Sequence, residues 1–222
     1  MALERATDPD AIAAARELIN ERITSAGGDR SAVTVVAVTK TFGIDTVRAA
    51  VAAGCTTLGE NYAAELVEKA SATTDLGIAW HFLGALQTNK IGRLAPLTSC
   101  FESVSREREA EAIALRRPEA HIMVQVDFTN RVQRNGATTE EVEGIVDRAQ
   151  TLGLVVDGLM TVAPPESDSA RRAFRTLKTL ADGLGLPECS MGMTDDLEIA
   201  VEEGSTMIRV GRALFGGRDA AK

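Results

Sequence analysis

The run VTVVAVTK at residues 33–40 decides how this chain is read. Residues 33–39 carry no charge and are mostly β-branched, a composition that suits a buried, pleated strand. The run then ends on a primary amine, Lys40, and continues as TFG. An open doubly wound sheet that binds nucleotides places a G-x-G-x-x-G turn after its first strand, and none follows here.

Working outward, the same grammar repeats. Apolar runs fall at 55–59 (CTTLG), 79–84 (AWHFLG), 98–104 (TSCFESV), 120–128 (AHIMVQVDF), 154–162 (LVVDGLMTV), 188–192 (ECSMG) and 206–211 (TMIRVG), making eight strands with the first. Segments with apolar residues at helical spacing separate them, as in IDTVRAAVAAG at 44–54, TTEEVEGIVDRAQTLG at 138–153, ESDSARRAFRTLKTLADGLG at 166–185 and TDDLEIAVEEG at 194–204. Each of the four ends on glycine, the usual helix stop. An opening helix is expected from about residue 9 to residue 26, started by Asp8 ahead of Pro9 and ended by AGGD. Strands alternating with helices imply parallel β/α units, and eight such units are the count of a closed (β/α)8 barrel of TIM type. The expectation is one barrel domain over residues 1–222 with an extra N-terminal helix, an open doubly wound sheet being the alternative.

Composition narrows the function. The chain has 222 residues, a formal net charge of −8 and an apolar fraction of 45%. An acidic balance argues against nucleic acid as a partner. No apolar run approaches the ~18 residues of a membrane helix, and the charged N-terminus lacks the core of a signal peptide. Cys55, Cys100 and Cys189 form no C-x-x-C pair, and His81 and His121 no metal-binding spacing. These features read as buried thiols in a reducing cytoplasm and no metal site.

In a β/α barrel the site is built at the C-terminal ends of the strands. Lys40 shares one face of strand one with Val36 and Val38, so an inward Val36 carries the amine into the barrel mouth. Desolvation favours the neutral amine of a lysine, the form that attacks an aldehyde; a snorkelling, solvated lysine is the other reading. SMGM and VGRALFGG follow strands seven and eight, where barrels hold phosphate, and glycines let backbone N–H groups approach an anion. Those glycines could equally be turns. Arg209 lies on the face of Met207 and Gly211, and needs either a barrel carboxylate, for which Glu60 or Asp127 would serve, or a ligand. Gln87, Asn89 and Thr194 could cap helices, Asp195 and Asp196 suit a helix N-terminus, and SREREAEAIALRR at 105–117 reads as a solvated helix face.

AVTK (37–40), GENY (59–62), WHFLGALQTNK (80–90), GLMTVAP (158–164), SMGMTDD (190–196) and GSTMIRVGRALFGGR (204–218) together resemble the pyridoxal phosphate homeostasis protein family, whose members have the fold of the alanine racemase N-terminal barrel. The resemblance implies pyridoxal 5′-phosphate (PLP) held as an aldimine on Lys40. It places Asn61 beside the cofactor and Met160 in the pocket wall. It assigns the phosphate to Ser190, Gly192, Gly211 and the backbone of Arg212, and the pyridine nitrogen to Arg209. Thr39 stands where serine is frequent and Arg134 where lysine is usual.

The implied role is storage, buffering or delivery of PLP inside the cell, with PLP-dependent apo-enzymes as possible partners. Little turnover is expected. Racemases of this fold take a tyrosine base from a second, β-rich domain. This sequence runs about ten residues past strand eight, and its one tyrosine, Tyr62, is in the GENY loop. Arg209 would disfavour a proton on the ring nitrogen, which carbanion chemistry needs. A PLP enzyme such as a weak amino-acid racemase is the alternative, and a cofactor-free Schiff-base aldolase a third reading. Lys90 of QTNK is a candidate secondary amine for transfer.

Overall fold

Eight parallel strands close on themselves in chain order in the computed structural model of the protein, which describes residues 6–129 and 135–217. The order is α1 (Pro9–Ser25), β1 (Thr34–Val38), α2 (Ile44–Ala52), β2 (Thr57–Glu60), α3 (Ala63–Ala72), β3 (Ala79–Phe82), α4 (Thr88–Leu94), β4 (Cys100–Val104) and α5 (Glu107–Ala114). It continues with β5 (His121–Val126), α6 (Val142–Thr151), β6 (Val155–Thr161), α7 (Ser167–Gly183), β7 (Glu188–Ser190), α8 (Leu197–Glu202), β8 (Met207–Val210) and α9 (Arg212–Phe215). Pairing of β8 with β1, from Thr34↔Met207 to Ala37↔Val210, shuts the barrel. The expected barrel with an opening helix is therefore the observed one, and the open sheet is not.

Strand parity sorts the side chains into two cores. Val36 packs inside the barrel with Cys100, Met123, Met160 and Met207. Ala37, one residue on, belongs to the larger core between barrel and helices. Period-two alternation then directs Val38 and Lys40 inward and Thr39 outward. The helices bury one stripe each; in α7 it is Ala170, Ala173, Phe174, Leu177 and Ala181, spaced by three and four.

Helix α1 starts as its sequence implies: Asp8 accepts from the N–H of Asp10 at 3.0 Å and Pro9 opens the first turn. Its buried face is Ile12, Ala15, Ile19 and Ile23, and it packs on α2, α8 and α9, over the seam where the first and last units of the barrel meet. Arg22 donates to Glu198 at 2.5 and 2.7 Å and to the carbonyl of Thr194 at 2.9 Å. The opening helix thus braces the loop after β7.

Three details depart from the expectation. Strand five stops at Val126 because the Asp127 N–H turns to Ala137 O and the Ala137 N–H to Gln125 O. Strand seven stops at Ser190, since Gly192 sits at φ 94 and turns the chain. On the helix expected to be solvated, Glu109 is buried and accepts from the N–H of Ser105, just ahead of α5, at 2.8 Å. All three cysteines are free and buried. Among the described residues no helix is long and apolar enough to cross a membrane.

The approach of β6 to β7 depends on Gly158, where a Cβ would lie 2.0 Å from the Glu188 carbonyl oxygen. Gly158→Ala is expected to force the strands apart at a cost of about 2 kcal/mol. A thermal melt should show a Tm lowered by roughly 4–8 °C for a chain of this size.

Candidate functional site

At the C-terminal mouth of the barrel lies a cavity of about 540 Å³, within the ordinary range for small-molecule sites. Val38 and Lys40 reach it from β1, Asn61 from β2, Met160 from β6 and Arg209 from β8, with Gly211 and Arg212 behind them. Six of the eight residues singled out from the sequence therefore meet in one place. Ser190 and Gly192 do not line it.

Lys40 is half-buried, and its flanking residues are held from outside the barrel. Thr39 points outward and donates its hydroxyl to Glu60 Oε1 at 2.7 Å. Lys69 of α3, itself buried, donates from Nζ to the Thr39 carbonyl at 2.8 Å, to Glu60 Oε1 at 2.6 Å and to Glu65 Oε2 at 2.7 Å. On the far side of Lys40, the N–H of Thr41 donates to Glu65 Oε2 at 2.7 Å. Thr41 has φ 68, a conformation that costs a β-branched residue about 1–3 kcal/mol. Burial raises the Glu60 carboxyl, with Lys69 opposing, and its Oε2 is buried without a hydrogen-bond partner among the described residues.

Asn61 enters the mouth because the loop after β3 passes directly over it. A Cβ on Gly84 would lie 1.8 Å from the Asn61 carbonyl oxygen, so only glycine allows that approach.

Arg209 is buried in the cavity floor and anchored from below. NH1 donates to Ser190 Oγ at 2.6 Å and NH2 to the Thr161 carbonyl at 2.6 Å. Ser190 in turn donates its hydroxyl to Glu102 Oε2 at 2.5 Å, and Glu102 Oε1 lies 2.6 Å from His81 Nδ1. The expected partners of the guanidinium were Glu60 or Asp127; the carboxylate is instead Glu102 of β4, 4.0 Å away. Glu60 could not serve, because it faces the helices. Burial pushes the fully buried Glu102 up, but His81, Arg209 and Ser190 together outweigh it and hold the carboxyl below its usual range. Burial likewise lowers Arg209, with Glu102 opposing. The floor is a line of hydrogen-bonded groups running from Arg209 at the mouth to His81, which borders a second cavity at the opposite end of the barrel with Thr34, His121, Asp157 and Glu188. No group of three or more His, Cys, Asp or Glu side chains among the described residues could hold a metal ion.

The loops after β7 and β8 form the remaining wall. At Gly192 a Cβ would meet that of Ala200 at 2.5 Å, so this glycine turns the chain against α8. Its carbonyl accepts from the Arg209 N–H at 3.0 Å. The turn delivers Met193, Thr194, Asp195 and Asp196 to the cavity. Thr194, read from sequence as a helix cap, accepts at Oγ1 from the Ala213 N–H at 3.3 Å, which leaves its hydroxyl proton to donate. Asp196 accepts from the Met193 N–H at 2.6 Å and Asp195 pairs with Arg212, so both carboxylates have partners at the rim. Thr194 lines the cavity although the sequence marked it only as a helix cap. The signal was present in SMGMTDD, but the hydroxyl expected to face the ligand was that of Ser190, which is spent on Glu102.

Other marked residues lie elsewhere. Tyr62 is exposed, as are Gln87, Asn89 and Lys90 around the start of α4, and none lines the cavity. Arg134 and Arg218 lie outside the described residues.

Comparison with known proteins gives the family and agrees with the fold. The family model for the alanine racemase N-terminal domain matches residues 8–219. The pyridoxal phosphate homeostasis protein of Pseudomonas aeruginosa is 36% identical over 210 residues, covering 90% of this chain and 91% of that protein. The protein of the same description from Escherichia coli is 32% identical over 228 residues, covering 95% and 97%. Among solved structures, PipY of Synechococcus elongatus with PLP bound superimposes with a TM-score of 0.77 at 31% identity, covering 89% of this chain and 100% of that one. Alanine racemase of Clostridium difficile, at 14% identity and a TM-score of 0.72, shares the fold; this chain covers 56% of it. With its barrel, its strand-one lysine and near full-length similarity to these relatives, the chain belongs to the pyridoxal phosphate homeostasis protein family.

Proposed function

We propose that the protein binds PLP through Lys40 and serves its homeostasis, storing, buffering or delivering it to PLP-dependent apo-enzymes with little turnover of its own. The observation that carries this reading is the meeting of one half-buried amine, one buried guanidinium and a two-loop polar wall in a single cavity at the barrel mouth. The set matches the three recognisable parts of the ligand. A lysine nitrogen suits an aldehyde carbon, replacing its oxygen with loss of water. A fixed guanidinium suits a ring nitrogen that acts as acceptor. Backbone N–H groups and a hydroxyl suit a phosphate. When bound, PLP supplies that aldehyde and a ring able to draw electron density from an attached carbon.

The residues divide the work as follows. Lys40 makes the attachment, Asn61 and Met160 flank the ring, and Arg209 faces its nitrogen. Gly211 and the backbone of Arg212 take one side of the phosphate. Thr194 and the backbone beside it take the other, the part the family resemblance had implied for Ser190 and Gly192. Ser190 acts one layer down, holding Arg209 in place, and Gly192 makes the turn.

Low turnover follows from what surrounds the amine. Among the described residues, the ionisable side chains lining the cavity are Lys40, Asp195, Asp196, Arg209 and Arg212. Both aspartates are engaged at the rim and the arginines are permanent cations, so no second acid or base is placed opposite Lys40. Arg209, held charged by Glu102, opposes protonation of the ring nitrogen and so weakens the ring as an electron sink.

Three outcomes are expected. Purified protein incubated with PLP turns yellow, and borohydride followed by peptide mass spectrometry places the label on Lys40; a label on Lys90, or no bound PLP, would overturn the reading. Alanine and other amino acids are neither racemised nor consumed at ordinary enzyme rates of about 1 s⁻¹ or more; turnover in that range would make it an enzyme. Thr194→Val weakens PLP binding by about 1.5 kcal/mol, roughly tenfold, through loss of one hydrogen bond to a charged group; spectrophotometric titration reads the change.

A further inference from the structure

We infer that the Glu60–Lys69–Glu65 cluster is a clamp that sets the position of Lys40, and that these three side chains are positioning residues for the cofactor although none lines its cavity. The inference rests on Lys40 being the attachment point.

The argument starts from what the cluster costs. A buried lysine and a fully buried carboxylate are held in the wall between β2 and α3, where apolar side chains of equal volume would pack at no electrostatic penalty. One oxygen of Glu60 has no hydrogen-bond partner there among the described residues. Such an arrangement does not stabilise the fold efficiently, so its value lies in what it holds.

What it holds is backbone. Lys69 Nζ bonds the carbonyl of Thr39, the residue before Lys40, and Glu65 bonds the N–H of Thr41, the residue after it. Glu65 and Lys69 are one helical turn apart on α3 and are joined to each other at 2.7 Å. The two grips are therefore one unit, spanning the lysine like a bracket. Glu60 completes it by taking the Thr39 hydroxyl and the Lys69 ammonium on the same oxygen. The left-handed Thr41 between these anchors is the conformation the chain would leave first if a grip were lost. β1 stops at Val38; beyond it the Thr39 N–H donates to Gly59 O and the Phe42 N–H to Thr39 O, both at 3.0 Å, and the bonds of Lys69 and Glu65 fix this turn from outside the barrel. An amine on a long flexible stem lies within reach of a bound aldehyde only if its Cα is fixed, since misplacement of about 1 Å weakens such a reaction strongly.

The test uses the full chain. Lys69→Met alone should lower Tm, because it strands a buried carboxylate. Lys69→Met combined with Glu60→Gln removes that charge and should recover most of the Tm, while leaving the Thr39 carbonyl with the Phe42 N–H alone. This double variant is expected to bind PLP at least tenfold more weakly and, before PLP is added, to exchange the amides of residues 39–41 faster than wild type. Wild-type affinity and exchange in a folded double variant would overturn the clamp. Glu65 is partly exposed and tolerates truncation, so a second pair covers the case of misfolding. Glu65→Ala should speed Thr41 amide exchange and weaken binding, and Glu65→Gln, which keeps an acceptor, should restore both; a Glu65→Ala variant that matches wild type in both would also overturn it. Borohydride mapping of the wild type separates the two levels. A label away from Lys40 defeats the assignment of the attachment point. A label on Lys40 with undisturbed variants defeats the clamp alone.

Discussion

The pairing of β8 with β1 is the contact on which the rest of the molecule depends. It joins the first strand to the last in parallel, Val36 beside Arg209 and Ala37 beside Val210. Closure removes both edges of the sheet and brings three parts of the sequence to one mouth: the lysine after β1, the arginine within β8 and the glycine after it. Helix α1 lies over this seam, with Arg22 tied to α8 and to the loop that supplies Thr194. An open sheet of the same strands would leave Lys40 and Gly211 on opposite edges.

Around this seam the protein uses buried charge for placement more than for stability. On the inside, His81, Glu102 and Ser190 hold Arg209 from beneath. On the outside, Glu60, Lys69 and Glu65 hold the backbone on both sides of Lys40. Ion pairs of this kind repay desolvation poorly, yet bonds to charged groups are short and directional. The two networks occupy opposite faces of the barrel wall and converge on the same cavity. The inner one sets a charge, and the outer one sets a position.

The fold was legible because its signal is local and repeated. The strands announce themselves as short apolar runs and four of the helices by spacing and a terminal glycine, and eight repetitions of the strand leave few architectures open. The site was legible in part. Lys40 could be aimed from the parity of Val36 and Val38, and Arg209 and Gly211 from that of Met207. Ser190 could not be so aimed. Its inward direction is right by alternation, yet at β7 the inward face lies below the cavity floor, where Arg209 and Glu102 claim its hydroxyl. Thr194 was missed for the converse reason, since it follows a left-handed turn at Gly192 and no strand parity applies to it.

Sequence by itself determined the strands and their order, the face that Lys40 shares with Val36 and Val38 and that Arg209 shares with Met207 and, through six ordered motifs, the family. These depend on periodicity and residue type, which survive without knowing what each residue touches. Tertiary structure alone decided which polar groups partner one another: Glu102 with Arg209 where Glu60 or Asp127 had been candidates, Lys69 with the carbonyl before Lys40, Thr194 with the cavity. Such pairings join residues up to 107 positions apart, and their choice turns on distances of about 1 Å that no local pattern encodes.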